Sequence, residues 1–255
     1  SDVCSSDLVM DNPDILTNPT IQARGAEIAK EVNKELAAKL GIKQAARITT
    51  IKPEGSSSLV LESASGIHPH HSRRYFRRVQ VNKHDPVYRY FKKHNPHMCE
   101  ESVWSANKTD DVIAFPITVS DRALIKSDLP ALKHLDIIKS TQKHWVLNGT
   151  TSSNTRNVTH NVSCTVIVED NEWDDVFKYL YKNRAFFGAV SLLPKVGDKA
   201  YKQAPNEAVT TPEDEAKWTD FVSKYKPVNY KHLEEDEDTT SVAENLACAG
   251  GKCEV

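Results

Sequence analysis

The residues best suited to chemistry are two thiols in the stretch ACAGGKCEV, Ala247 to Val255. Cys248 and Cys253 are separated by Ala-Gly-Gly-Lys, a small and pliable spacer. Their Cα atoms can therefore approach the span of about 4.4–6.8 Å that a disulfide needs. Three chemistries fit such a pair: a structural staple, half of a metal site, or a carrier of reducing equivalents. A staple closing so small a loop outside any core adds little stability. Tetrahedral zinc needs two further ligands, and the neighbouring sequence supplies only His232 and acidic groups. A dithiol on a tether can instead reach a second site and exchange disulfides there. That reading is favoured.

A second candidate is KPEGSSS, Lys52 to Ser58. A Gly-Ser loop after a strand lets successive backbone N–H groups converge on an anion, and the hydroxyls add donors. The spacing is not that of a P-loop. An ordinary Pro-Gly turn is the plainer account of these residues taken alone. A third is HPHHSRRYFRR, residues 68–78, which holds three histidines and four arginines. It suits anion contact, a metal through His68 and His70, or a charged strand face with snorkelling arginines. No partner pair at finger-like spacing accompanies the histidines, so no metal is assigned. Cys164 reads as a small buried hydrophobe on a strand, Cys99 as an incidental thiol, and Cys4 carries no interpretation.

Several elements must position these groups. Asn18-Pro19 is a cap followed by Pro in the first turn, and Ile21, Ile28, Val32, Leu36 and Leu40 then recur at helical spacing until Gly41. Ile48 to Ile51 predicts a short buried strand that Pro53 ends. Residues 129–149 predict a helix, 162–169 a strand, 171–183 a helix and 189–193 a strand. Strand, helix and strand in about 30 residues make a parallel βαβ unit with a right-handed crossover. The fold class expected is α/β. Residues 212–225 predict a further amphipathic helix, and the acidic stretch behind it reads as a flexible linker.

Length and composition set the outer limits. The chain has 255 residues, 39% hydrophobic and 27% charged, with a net charge of −2. Nothing global in that balance favours nucleic acid or an anionic membrane as partner. No apolar run reaches the roughly 18 residues of a membrane span. Five cysteines, an odd and low count, fit a reducing compartment, so the expected location is the cytoplasm.

Taken together, KPEGSSSLVLESASGIHP, HNVSCTVIVEDNEWDDVFKYLYKN, AVSLLP and CAGGKCEV resemble the C-terminal part of adenosylcobalamin-dependent (class II) ribonucleotide reductases. They are most similar to the monomeric ribonucleoside-triphosphate reductase group. The resemblance runs from about Thr17 to Val255. It implies the C-terminal part of a ten-stranded α/β barrel followed by a flexible redox tail. The domain reading is then 1–16 an unassigned tail, 17–205 barrel, 206–226 a peripheral helix, 227–246 an acidic linker and 247–255 the dithiol tail. It also implies that Pro53, Glu54, Gly55, Ser56, Ser57 and Ser58 grip the substrate phosphates, with Ser56 where Thr is usual. Cys248 and Cys253 would be catalytic in the redox sense. They would reduce an active-site disulfide and be reduced in turn by a thioredoxin-like donor.

The implied cofactor is adenosylcobalamin, and the implied reaction is conversion of ribonucleoside triphosphates to deoxyribonucleotides by thiyl-radical chemistry. One departure stands out. The family's radical cysteine follows an Asn-Pro pair, whereas Asn12-Pro13, Asn18-Pro19 and Asn95-Pro96 are each followed by another residue type. The expectation is a fragment without its own radical centre. Alternatives are a diphosphate-using reductase of the same class and, outside enzymes, a nucleotide-anchoring redox carrier.

Overall fold

A computed structural model describes residues 4–5, 9–55, 58–59, 61–151, 158–197 and 201–233. In chain order its main elements are β1 (Cys4–Ser5), α1 (Pro13–Leu16), α2 (Pro19–Leu40), β2 (Thr49–Thr50), β3 (Arg74–Asn82), α3 (Pro86–His94), β4 (Cys99–Glu101) and β5 (Asp110–Thr118). They continue with α4 (Ala131–Thr141), β6 (Thr165–Val168), α5 (Trp173–Lys182), β7 (Ser191–Pro194), β8 (Asn206–Ala208) and α6 (Pro212–Lys224). The chain divides into two compact units. One comprises Ser1–Tyr75, Ile117–Tyr201 and Asn206–Val209; the other comprises Phe76–Pro116, Lys202–Pro205 and Thr210–Val255.

The first unit is built on parallel strands. β1 pairs with β2, Ile51 bridges Val162, and β6 pairs with β7 from Thr165↔Ser191 to Val168↔Pro194. The crossover from β6 to β7 is α5, which gives the βαβ unit expected of 162–193. Alternation along β6 turns Val166 and Val168 into the core and leaves Thr165 and Ile167 on the opposite face. The core gathers Ile51, Ile67, Leu135, Ile138, Val146, Val162, Val166, Val168 and Val176. Cys164, 7% exposed, lies among them as a packed thiol, and burial pushes its pKa up to about 12.

Two features of this unit differ from the sequence reading. Residues 9 to 16, taken as part of a tail, are structured: Val9 and Met10 are fully buried, and α1 follows an Asn12 cap position. The stretch lacked periodicity because its contribution is two core side chains, which no repeat announces. The second difference is in α2. Asn18 Oδ1 accepts the N–H groups of Thr20 and Ile21 at 2.9 and 3.3 Å, and Gly41 closes the helix at φ +65°. Yet the buried positions are Gln22, Ala26 and Ala37, and the Ile21–Leu40 stripe stays about half exposed. Small residues govern the contact, since a Cβ on Gly25 would come within 3.2 Å of the Trp145 ring.

α4 continues into a π-turn, Gln142–Val146. The extra residue aims the buried Gln142 amide at the next segment, where Oε1 accepts Val162 N–H at 3.1 Å and Nε2 donates to His160 O at 2.9 Å.

In the second unit β4 runs antiparallel to β5, with Cys99 opposite Ile113, and β3 lies on the other side of β5. Asp85 caps α3 through Tyr88 N–H at 2.9 Å, and Thr211 with Asp214 forms a capping box on α6. Asp111, 2% exposed, is held by the Tyr88 hydroxyl and by Lys92 Nζ at 2.6 Å, with Lys83 at 3.5 Å. Burial opposes its charge, but Lys92, Tyr88 and Lys83 outweigh that and keep the carboxyl below its ordinary range.

Candidate functional site

The turn at Lys52–Gly55 leaves the end of the parallel ladder. Ser163 N–H donates to Ile51 O at 2.9 Å, so Lys52 emerges beside Ser163, and Lys52 Nζ reaches Ser163 Oγ at 3.3 Å. The backbone of Gly66 closes against it from behind. Gly66 has φ +57°, and a Cβ there would stand 2.6 Å from the Lys52 carbonyl oxygen. Only glycine satisfies both conditions.

Ser65 then ties the turn shut. Its Oγ accepts Glu54 N–H at 2.8 Å and donates to Glu54 O at 2.5 Å. Ser58 is buried, and its Oγ approaches Glu54 O and Gly55 O, each at 3.0 Å. Two donors assigned to phosphate by resemblance are thus engaged within the loop: Glu54 N–H and the Ser58 hydroxyl. Gly55 differs, since a Cβ there would meet nothing within 4 Å. Ser56 and Ser57 lie outside the described residues, as do Cys248 and Cys253.

Behind the turn, in the same unit, is a cavity of about 180 Å³ lined by His68, Pro69, Lys126, Leu129, His134, Thr165 and Ile167. Sequence reasoning singled out His68 as a possible ligand and overlooked His134. Both imidazoles are committed to the backbone. His68 Nδ1 lies 2.9 Å from Ser65 O, and its Nε2 lies 2.9 Å from Thr165 N. His134 Nε2 donates to Ile67 O at 2.9 Å. Burial lowers the pKa of His68, the Ser65 carbonyl opposes this, and Lys126 lowers it further. Burial takes His134 down to about 4. The short Ser65-to-His68 spacing was the one signal available for this arrangement.

His70, weighed with His68 as a metal ligand but not assigned as one, donates Nε2–H to Asp11 Oδ1 at 2.7 Å, while Asp11 Oδ2 accepts Ala64 N–H at 2.7 Å. Among the described residues no group of three or more His, Cys, Asp or Glu could hold a metal ion. Among the arginines, Arg73 donates to the carbonyls of Ser120 and Ala123 and pairs with Asp128, so it braces the fold. Cys99 is half-buried with Sγ 3.6 Å from Asn95 O, and burial raises its pKa. It is not a poised thiolate.

No family profile matches the chain. The adenosylcobalamin-dependent ribonucleoside-triphosphate reductase of Lactobacillus delbrueckii subsp. bulgaricus is 23% identical over 225 residues, covering 85% of this chain and 28% of that protein. The chain is similar to that family. The enzyme of the same name from Euglena gracilis is 25% identical over 193 residues, or 73% of this chain and 24% of the relative. A probable one from Dictyostelium discoideum is 26% identical over 216 residues, or 82% and 26%. Among solved structures, a B12-dependent class II ribonucleotide reductase superposes with a TM-score of 0.64 at 19% identity, covering 92% of this chain and 29% of the other. The chain shares that mixed α/β fold, and it spans about a quarter of the relatives' length.

Proposed function

We propose that this chain is the phosphate-gripping and electron-delivering portion of an adenosylcobalamin-dependent ribonucleoside-triphosphate reductase. The observation that carries the reading is the join of Ile51 to Val162 in the parallel sheet. It delivers the Lys52–Gly55 turn to the strand end, beside the polar face of Ser163 and Thr165. Loops at strand ends are where α/β folds bind phosphorylated ligands. In this reading Gly55, Ser56 and Ser57 meet the substrate phosphates, and Pro53, Glu54 and Ser58 give the loop its shape. The parallel strands belong to a ten-stranded barrel completed by other parts of a longer polypeptide, which also supply the radical cysteine. The location is cytoplasmic.

Adenosylcobalamin would supply the radical in the complete enzyme. The cavity beside His68 is far too small for a corrin ring, so no step is assigned to the cofactor here. The steps assigned to this chain are ionic. The thiolate of one tail cysteine attacks the active-site disulfide, breaking its S–S bond and releasing one thiol. The second tail cysteine displaces the other thiol and closes Cys248–Cys253 as a disulfide. Two electrons and two protons have then moved inward, and a thioredoxin-like dithiol restores the pair. A diphosphate substrate would use the same loop and tail.

The test is reductant choice in the full-length enzyme. Cys253→Ser should abolish turnover with thioredoxin and keep turnover with a small dithiol. Equal losses with both would reject the relay and favour a loop whose thiols serve another purpose.

A further inference from the structure

The contacts of His68 fix its protonation state. The backbone N–H of Thr165 can only donate, so His68 Nε2 at 2.9 Å must accept. The proton is therefore on Nδ1, where the Ser65 carbonyl accepts it at 2.9 Å. The same Ser65 holds Glu54 at both its N–H and its C=O. An unbroken run of hydrogen bonds thus leads from the Pro53–Gly55 turn through Ser65 and His68 to the first residue of β6. We propose that neutral His68 is a positioning residue that latches the phosphate loop to β6, and that its protonation releases the latch and weakens anion binding. This rests on the loop's assignment as a phosphate site.

The mechanism is one of sign. A protonated imidazole presents N–H at both nitrogens, so Nε2–H would face Thr165 N–H, donor against donor. One of the two must withdraw, and Ser65 with its grip on Glu54 is attached to the side that moves. The groups around His68 reinforce the neutral form. Lys126, from the turn before α4, adds positive charge and donates to His71 at 3.0 Å. His134 faces the cavity from α4, and β6 contributes the uncharged Thr165 and Ile167. Among the described residues, the cavity lining includes no carboxylate to hold an imidazolium. The nearest acids in sequence are Glu62, which is exposed, and Glu54, on the loop itself; Asp11 is engaged with His70 and Ala64 N–H.

The experiment uses this chain and inorganic tripolyphosphate, titrated calorimetrically from pH 7.5 to pH 5.0. His68→Gln keeps a donor and an acceptor but does not titrate. Comparing the two proteins cancels the ionisation of the probe. The wild type should lose about threefold or more affinity on acidification beyond any loss shown by His68→Gln. Parallel profiles would overturn the latch while leaving the loop a phosphate site. No binding by the wild type at any pH would overturn the loop reading and the latch with it. A second measurement does not depend on the variant folding: imidazole 15N shifts of the wild type should report the Nδ1–H tautomer at pH 7.5. An Nε2–H tautomer would reject the proposal outright.

Discussion

Acidification should destabilise the first unit through His134, and the size of the effect can be worked out. The side chain is 3% exposed, on α4, with Nε2–H donated to Ile67 O. Burial lowers its pKa from 6.5 to about 4, the Ile67 carbonyl resists this, and neighbouring His68 adds to the lowering. In the unfolded chain the imidazole takes a proton near pH 6.5; in the folded protein it does so only near pH 4. Between those values the unfolded state holds more protons, so stability falls as pH falls. Above pH 6.5 the contribution is fully present, and across the window about 3 kcal/mol is lost. Urea unfolding of wild type and His134→Gln between pH 7 and pH 4 isolates it, because the glutamine amide can still donate to Ile67 O and does not titrate. Wild type should lose about 3 kcal/mol more than the variant across that range. Parallel stability curves would refute the reasoning, as would a His134 pKa near 6.5 measured by NMR on the wild type.

Three further outcomes follow from close packing and buried charge. Gly66→Ala should cost about 2 kcal/mol or more in unfolding free energy, since it combines a left-handed backbone with a clash at the Lys52 carbonyl; a neutral result would mean the turn is not fixed from behind. Gly149→Ala should be worse, because its Cβ would fall 1.8 Å from Thr49 Oγ1, and thermal unfolding should show at least as large a loss. Asp111→Ala should cost about 2 kcal/mol in urea unfolding, less than a fully buried pair because Lys92 remains half exposed, and a neutral result would mean the carboxylate is not held by Lys92 and Tyr88.

What the sequence reveals of this fold follows physical lines. Elements announced by a cap, a period or a stop were legible: α2 from Asn18-Pro19 to Gly41, the βαβ unit from 162 to 193, and α6 from its amphipathic run at 212–225. The rest of the second unit was not. β4 is three residues long, and β5 follows a polar stretch whose turn residues suggest only a loop. The N-terminal stretch was misjudged because two buried side chains leave no periodic trace. At the site, the Pro-x-Gly turn could be read directly, but its support could not. The grip of Ser65 on Glu54 and the link from His68 to Thr165 join residues 11 and 97 apart, and only the fold makes them neighbours. The inward turn of Ser58 was equally hidden, since hydroxyls that bind a ligand and hydroxyls that brace a loop look alike in sequence.

The role proposed for this chain is in a cobalamin-dependent reduction of ribonucleoside triphosphates. The direct test is turnover by the full-length polypeptide given a ribonucleoside triphosphate, adenosylcobalamin and a dithiol. A 2′-deoxyribonucleotide product is expected that disappears when the cobalamin is omitted, with no product from these 255 residues alone. Product formed without cobalamin, or none formed by the complete protein with every component present, would contradict it.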